Sequence, residues 1–128
     1  RGNEEYYIRN KLMKQGPGKG GFTEEEILEY IRVCTPENIH GVCEDYRAAF
    51  EIDLPMDTED FNAGRRVQPP ALVLWGAKSH TAHHHDPRVE WPKYCANIVR
   101  MAELPCGHYP TEQAPEETCR ELLAFFQG

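Results

Sequence analysis

Apolar residues recur at helical spacing through the first half of the chain and gather into short continuous runs in the second. Tyr7, Ile8 and Leu12 share one face of a helix predicted over residues 4–15, which stops at the cluster Gly16-Pro17-Gly18-Lys19-Gly20-Gly21. Thr23 and Glu26 form a capping box, in which the hydroxyl accepts from an orphan amide while the carboxylate reaches back. Ile27, Leu28, Ile31 and Cys34 then fall on one face. Thr35 is placed to cap a further helix, with Pro36 at its first position. Its apolar stripe is Ile39, Val42, Cys43, Tyr46 and Phe50, and Leu54-Pro55-Met56-Asp57 is expected to end it. The first half is thus read as entirely helical.

The second half changes period. Pro69-Pro70 leads into Ala71-Leu72-Val73-Leu74-Trp75-Gly76, an unbroken apolar run suited to a buried parallel strand. A polar loop is expected over 78–86, and a helix over 87–95 with Val89, Trp91, Tyr94 and Cys95 as its apolar contacts. Ile98, Val99, Met101 and Leu104 suggest a second strand. Pro115, with Glu116 and Glu117 in the favourable first turn, starts a last helix lined by Cys119, Leu122, Leu123 and Phe126, with Gly128 as its C-cap. Strand, helix, strand, helix is the alternation of an α/β sheet, and two strands alone leave edges and faces to be covered. The polar stretch 59–68 divides the chain into a helical part, 1–58, and an α/β part, 59–128.

Charge and cysteines narrow the function. A net charge of −7, with acids and bases interspersed, argues against a nucleic-acid binder, which needs a basic stripe. No run of about 18 apolar residues offers a membrane span. Cys34, Cys43, Cys95, Cys106 and Cys119 are odd in number and scattered, mostly on apolar helical faces. Buried reduced thiols in a cytoplasmic protein are therefore expected, rather than a disulfide framework. The chain opens on Arg1 rather than Met, which fits truncation, processing or an incomplete gene model.

The strongest chemical feature is His108, in Leu104-Pro105-Cys106-Gly107-His108-Tyr109-Pro110, between a strand and the closing helix. This arrangement resembles the end of an α/β-hydrolase, where the catalytic His follows the last strand. No G-x-S-x-G or comparable elbow precedes it, so the nucleophile is expected outside this chain. Cys106 is too near His108 in sequence to act as its thiol partner, since such dyads draw on separate elements. His80, His83, His84 and His85 with Asp86 invite a metal reading, with His80 and His84 on one face if helical. Weak helix signals argue against a functional site, and no metal or other cofactor is assigned. The glycine cluster follows a helix rather than a strand, so it reads as a plain loop rather than a phosphate cradle. Asp57, Glu59 and Asp60 read as a solvated acidic loop.

Three stretches carry a closer resemblance in consistent order. His40-Gly41-Val42-Cys43-Glu44-Asp45-Tyr46-Arg47-Ala48-Ala49 resembles the last cap helix of haloacetate (fluoroacetate) dehalogenases. Pro70-Ala71-Leu72-Val73-Leu74-Trp75-Gly76-Ala77 resembles their penultimate core strand. Gly107-His108-Tyr109 with Gln113-Ala114-Pro115-Glu116 resembles their catalytic-His loop and last helix. The resemblance implies the C-terminal part of an α/β-hydrolase fold: a helical cap segment, then the last two strands and helices of the core sheet. It implies hydrolytic dehalogenation of a short haloacid, in which an Asp nucleophile displaces halide and a His base hydrolyses the resulting ester. His108 matches that base, and Tyr46 matches a cap tyrosine that donates to the departing halide. A Tyr46 packed in the core with a satisfied hydroxyl is the competing reading. In many related hydrolases an acid follows the penultimate strand, where this chain has Lys78-Ser79. Asp86 is the nearest acid and is not assigned. The implied partner is a small haloacid, with neither nucleic acid nor membrane, and a homodimer of the complete enzyme stays open. An epoxide hydrolase of the same superfamily, or a non-catalytic fragment with exposed apolar surface, are the alternatives.

Overall fold

The computed structural model describes residues 2–14 and 21–128, so the reading of residues 16–20 lies outside the described residues. The helical half comprises α1 (Glu4–Lys14), α2 (Glu24–Val33), α3 (Pro36–Ala48) and α4 (Leu54–Asn62). The expected caps form. Thr23 Oγ1 accepts from the Glu26 amide at 3.2 Å while the Glu26 carboxylate takes the Thr23 amide at 2.7 Å. Thr35 accepts from the Asn38 amide, with Pro36 at the start of α3.

Two readings of this half are corrected. The chain does not stop at Leu54-Pro55-Met56-Asp57. It runs from α3 through a π-helical turn, Ala49–Asp53, directly into α4. Pro55 lacks an amide, and its ring would collide with the carbonyl four residues back in a regular α-helix. The wider turn, closed by the Leu54 amide donating to the Ala49 carbonyl, accommodates it. Asp57, Glu59 and Asp60 accordingly lie on α4 rather than on a loop, and the helical run extends past residue 58 to Asn62. The second correction concerns burial. Ile39 is half-buried, but Val42, Cys43, Tyr46 and Phe50 are exposed, and α3 has no buried side chain.

In the α/β half, β1 (Ala71–Gly76) pairs in parallel with β2 (Ile98–Leu104), ending in register at Gly76 and Leu104. The segment between them holds α5 (His80–His84) and α6 (Pro87–Tyr94). The polar loop expected over 78–86 therefore contains a short helix, because buried Ser79 accepts from the Ala82 amide and starts one. Val89, Trp91 and Tyr94 of α6 are exposed, whereas Pro87 and the following Cys95 are buried. After β2 come α7 (Pro110–Gln113) and α8 (Pro115–Gln127).

Helix α8 turns the opposite face from the one its apolar stripe predicts. Thr118 and Glu121 are buried, while Cys119, Leu122, Leu123 and Phe126 are exposed, Phe126 at 78%. The inward positions find polar partners: Thr118 Oγ1 donates to the Pro110 carbonyl at 2.9 Å, and Arg100 of β2 holds the Glu121 carboxylate with two hydrogen bonds. These bonds keep the Glu121 carboxyl below the ordinary glutamate range. All five thiols are free, but only Cys95 and Cys106 are buried. Cys43 and Cys119 are exposed, contrary to the expectation of buried thiols. Among the described residues no helix is long and apolar enough to cross a membrane.

Among the described residues two small cores result. Leu12, Phe22 and Ile27 form one, joined by Ile8, Tyr30, Ile31 and, from the other half of the chain, Tyr109. Leu104, Cys106 and Ala114 form the second, against Leu74. Tyr109 thus fastens the loop after β2 to the helical half.

Candidate active site

His108 stands on the turn between β2 and α7, exposed, with buried Cys106 and Gly107 before it and half-buried Tyr109 after it. The turn is built from backbone contacts. Where β1 ends, the Ala77 amide donates to the Leu104 carbonyl at 2.8 Å and the Lys78 amide to the Cys106 carbonyl at 2.9 Å. The two strand exits are laced so closely that a β-carbon on Gly76 would sit 1.8 Å from the Gly107 carbonyl oxygen. Only glycine fits there. On the other side, the Gln113 side-chain oxygen accepts from the Gly107 amide at 2.7 Å and from the Tyr109 amide at 3.3 Å, bracketing His108.

An aromatic chain leads from His108 into the helical half. The His108 ring meets the Tyr109 ring edge-on at 5.0 Å, Tyr109 meets Phe22 at 5.0 Å, and Phe22 meets Tyr30 at 5.7 Å. The Tyr30 hydroxyl donates to Glu112 at 2.7 Å, which pushes its pKa up to about 12. Burial likewise raises the Tyr109 hydroxyl.

Tyr46 is 64% exposed, so the packed-core reading of this residue does not hold. Its ring lies 5.9 Å from Lys11 Nζ, which also stands 5.7 Å from the Tyr7 ring. Burial works against the Lys11 ammonium. A hydrogen bond with Tyr7, with Tyr46 and Tyr109 within electrostatic reach, outweighs it and holds the lysine above its ordinary value. Lys11 therefore links the tyrosine of α3 to Tyr7 of α1.

Sequence reasoning assigned no role to Lys11 or Gln113, the latter standing only within the stretch that resembles the last helix. The Tyr7–Lys11 spacing of four on α1 was a signal for the first. Nothing in a linear pattern marks the second, because its partners are backbone amides. The remaining polar candidates have local duties. Ser79 caps α5, and Asp86 caps α6 through the Arg88 amide at 2.9 Å. His80 and His84 do share a helix face, with rings 4.2 Å apart. Among the described residues no three His, Cys, Asp or Glu side chains converge as metal ligands.

An exposed histidine thus stands on the loop after a parallel strand, tied through its neighbour Tyr109 to the helical half. The chain is 39% identical to a fluoroacetate dehalogenase from a Burkholderia species over 109 residues, 84% of this chain and 35% of that enzyme. The chain belongs to the α/β-hydrolases. A soluble epoxide hydrolase from Corynebacterium sp. (strain C12) is 29% identical over 82% of the chain and 35% of its own length. A solved α/β-hydrolase structure from Nostoc sp. PCC 7120 superposes with a TM-score of 0.86 at 39% identity, covering 97% of this chain and 42% of that one. No protein-family model matches the chain. The chain spans about a third of the length of the curated relatives it matches, and as an α/β-hydrolase it carries a helical segment, two core strands and the loop bearing His108.

Proposed function

We propose that this chain is the part of a haloacetate-dehalogenase-like hydrolase that supplies the general base and one halide contact. The division is a cap part that ends with α4 (Leu54–Asn62) and a core part that begins before β1 (Ala71–Gly76), with the substrate between them. An aspartate outside this chain displaces halide from the carbon of a short haloacid and becomes esterified. His108 then takes a proton from water as the water oxygen attacks the ester carbonyl. The carbon–oxygen bond to the enzyme's carbonyl carbon breaks, the hydroxyacid leaves with a proton, and the aspartate is restored. The Tyr46 hydroxyl donates to the departing halide, which matters most for fluoride, a leaving group that needs fixed donors for its developing charge.

The single observation that carries this reading is the 39% identity to a fluoroacetate dehalogenase, which spans most of the chain. Exposure supports it further, since His108 and Tyr46 both present their side chains to solvent rather than to a core. The exposed apolar face of α8 offers the remainder of a core sheet a surface on which to pack. Epoxide hydrolysis uses the same ester chemistry and is the second reading, favoured by the Corynebacterium relative.

The test joins this chain to the upstream portion of the Burkholderia enzyme and measures fluoride release from fluoroacetate and diol release from a terminal epoxide. Fluoride release that His108→Ala abolishes, with an enzyme-bound ester accumulating, is the expected result. Tyr46→Phe is expected to slow fluoride release about tenfold or more and chloride release less. Diol formation without halide release would replace the proposal with the epoxide reading. The chain by itself is expected to show no turnover, and fluoride release lost in His108→Ala of the chain alone would overturn the assignment of the nucleophile to another segment.

A further inference from the structure

We propose that Gln113 is the positioning residue of His108, and that the helical half of the chain holds Gln113 in place. The proposal rests on the reading of His108 as a base. The exposed imidazole meets the half-buried Tyr109 ring edge-on, so its direction is set by that neighbour and by the backbone on either side. Both flanking amides, Gly107 and Tyr109, end on one atom, the Gln113 side-chain oxygen, at 2.7 and 3.3 Å. A carbonyl oxygen has two lone pairs, and two donors converging on it define the loop as a pair of strand hydrogen bonds would. The cross-brace spans the residue that does the chemistry.

The brace is itself anchored. The Gln113 amide donates to the Tyr109 carbonyl at 2.9 Å, closing the turn of α7, and Thr118 of α8 ties the Pro110 carbonyl at 2.9 Å. The other anchor comes from the helical half. Gly21 sits immediately before buried Phe22, in a left-handed conformation with φ +79°, and a β-carbon there would lie 2.8 Å from Gln113 Cγ. The bare glycine backbone therefore approaches the glutamine stem more closely than another residue could. Phe22 packs on Tyr109 from the same segment. Docking of residues 21 and 22 thus confines Gln113, and Gln113 confines the His108 turn.

The choice of an amide has a consequence. A carboxylate at this position would accept the same two hydrogen bonds, so Gln113→Glu tests the geometry with the acceptor retained. Gln113→Leu keeps the volume and removes the acceptor. Amide hydrogen exchange at Gly107 and Tyr109 is the direct readout, because a general loosening would also raise exchange in β1 and β2. The expected result is exchange about tenfold faster at those two amides in Gln113→Leu, protection retained in Gln113→Glu, and strand amides unchanged in both. Unchanged protection in Gln113→Leu, or its loss in Gln113→Glu, would overturn the proposal. If the leucine variant fails to fold, the glutamate variant alone decides. In the joined hydrolase, Gln113→Leu is expected to slow ester hydrolysis, lowering kcat about tenfold while the ester still forms. Full turnover in His108→Ala beside faster Gly107 and Tyr109 exchange in Gln113→Leu would remove the base reading and leave the bracing of the loop by Gln113 standing.

Discussion

Between residues 71 and 114 the chain stitches two strand exits together through backbone amides, whereas α3 carries Tyr46 with no buried side chain on the whole helix. His108 is placed by the Gly76 contact, two backbone hydrogen bonds and the Gln113 brace. Tyr46 is placed by helix geometry and by Lys11 near its ring. A general base of the kind proposed for His108 needs fixed placement relative to its water. The halide contact proposed for Tyr46 stands on a softer mount, with a π-helical turn directly after α3. The contrast predicts that packing substitutions near the His108 turn have large effects on stability and those on α3 small ones.

The sharpest way to break this contrast is Gly76→Ala. The added methyl meets backbone, not a movable side-chain tip, at 1.8 Å from the Gly107 oxygen and 2.7 Å from the Cys106 oxygen. Strand β1 or the His108 turn must move. The expected cost is about 3 kcal/mol in urea unfolding. Turnover of the joined enzyme should fall further than stability alone accounts for. An alanine variant as stable and active as the parent would show that the turn is not held by close approach.

Much of this was legible in the residues. The capping box at Thr23, the Thr35-Pro36 start, the apolar run 71–76 and the Pro115 start each depend on neighbours within four positions, and all form as expected. What could not be read is which apolar stripes are covered. A periodic pattern fixes a face but says nothing of what lies opposite. Hence the stripe of α8 points outward, while Thr118 and Glu121 point in toward the Pro110 carbonyl and Arg100. The continuation of the helix through Pro55 was hidden for a different reason, since a widened turn leaves no residue signature. The candidates His108 and Tyr46 came from motifs, whereas the contacts of Gly76 and Gln113 with the His108 turn exist only in the folded chain.

The Arg100–Glu121 pair gives a medium-sized test on the sheet side. Arg100 holds the Glu121 carboxyl below its ordinary value, so the pair contributes stability above the ordinary glutamate range. That contribution is lost as pH falls through the lowered folded value. Arg100→Met leaves a buried carboxylate without its cation, and the variant should be less stable than the parent at neutral pH. The gap should narrow on acidification as the carboxyl becomes protonated in both proteins. Thermal unfolding followed from pH 7 down to about pH 2, through the lowered folded value, measures it. A gap that stays constant between the two would mean that the arginine stabilises by packing its stem rather than by pairing. The arginine side chain is about half exposed, so the effect is expected to be smaller than that of Gly76→Ala.

The smallest expected effect has the opposite sign and comes from α3. Gly41 lies inside this helix, and a β-carbon there would meet nothing within 4 Å. Glycine in a helix interior leaves more backbone freedom to be lost on folding than alanine does, and here no contact requires it. Gly41→Ala should therefore raise stability by about 0.5–1 kcal/mol and leave turnover of the joined enzyme unchanged. The two glycine-to-alanine changes add the same methyl to the same chain, one between two strand exits and one on an open helix. Opposite signs would establish that the His108 turn is held by contact and the Tyr46 helix by local propensity. A loss of stability at Gly41 would instead mean that a partner surface covers α3, and that the tyrosine is as tightly mounted as the histidine.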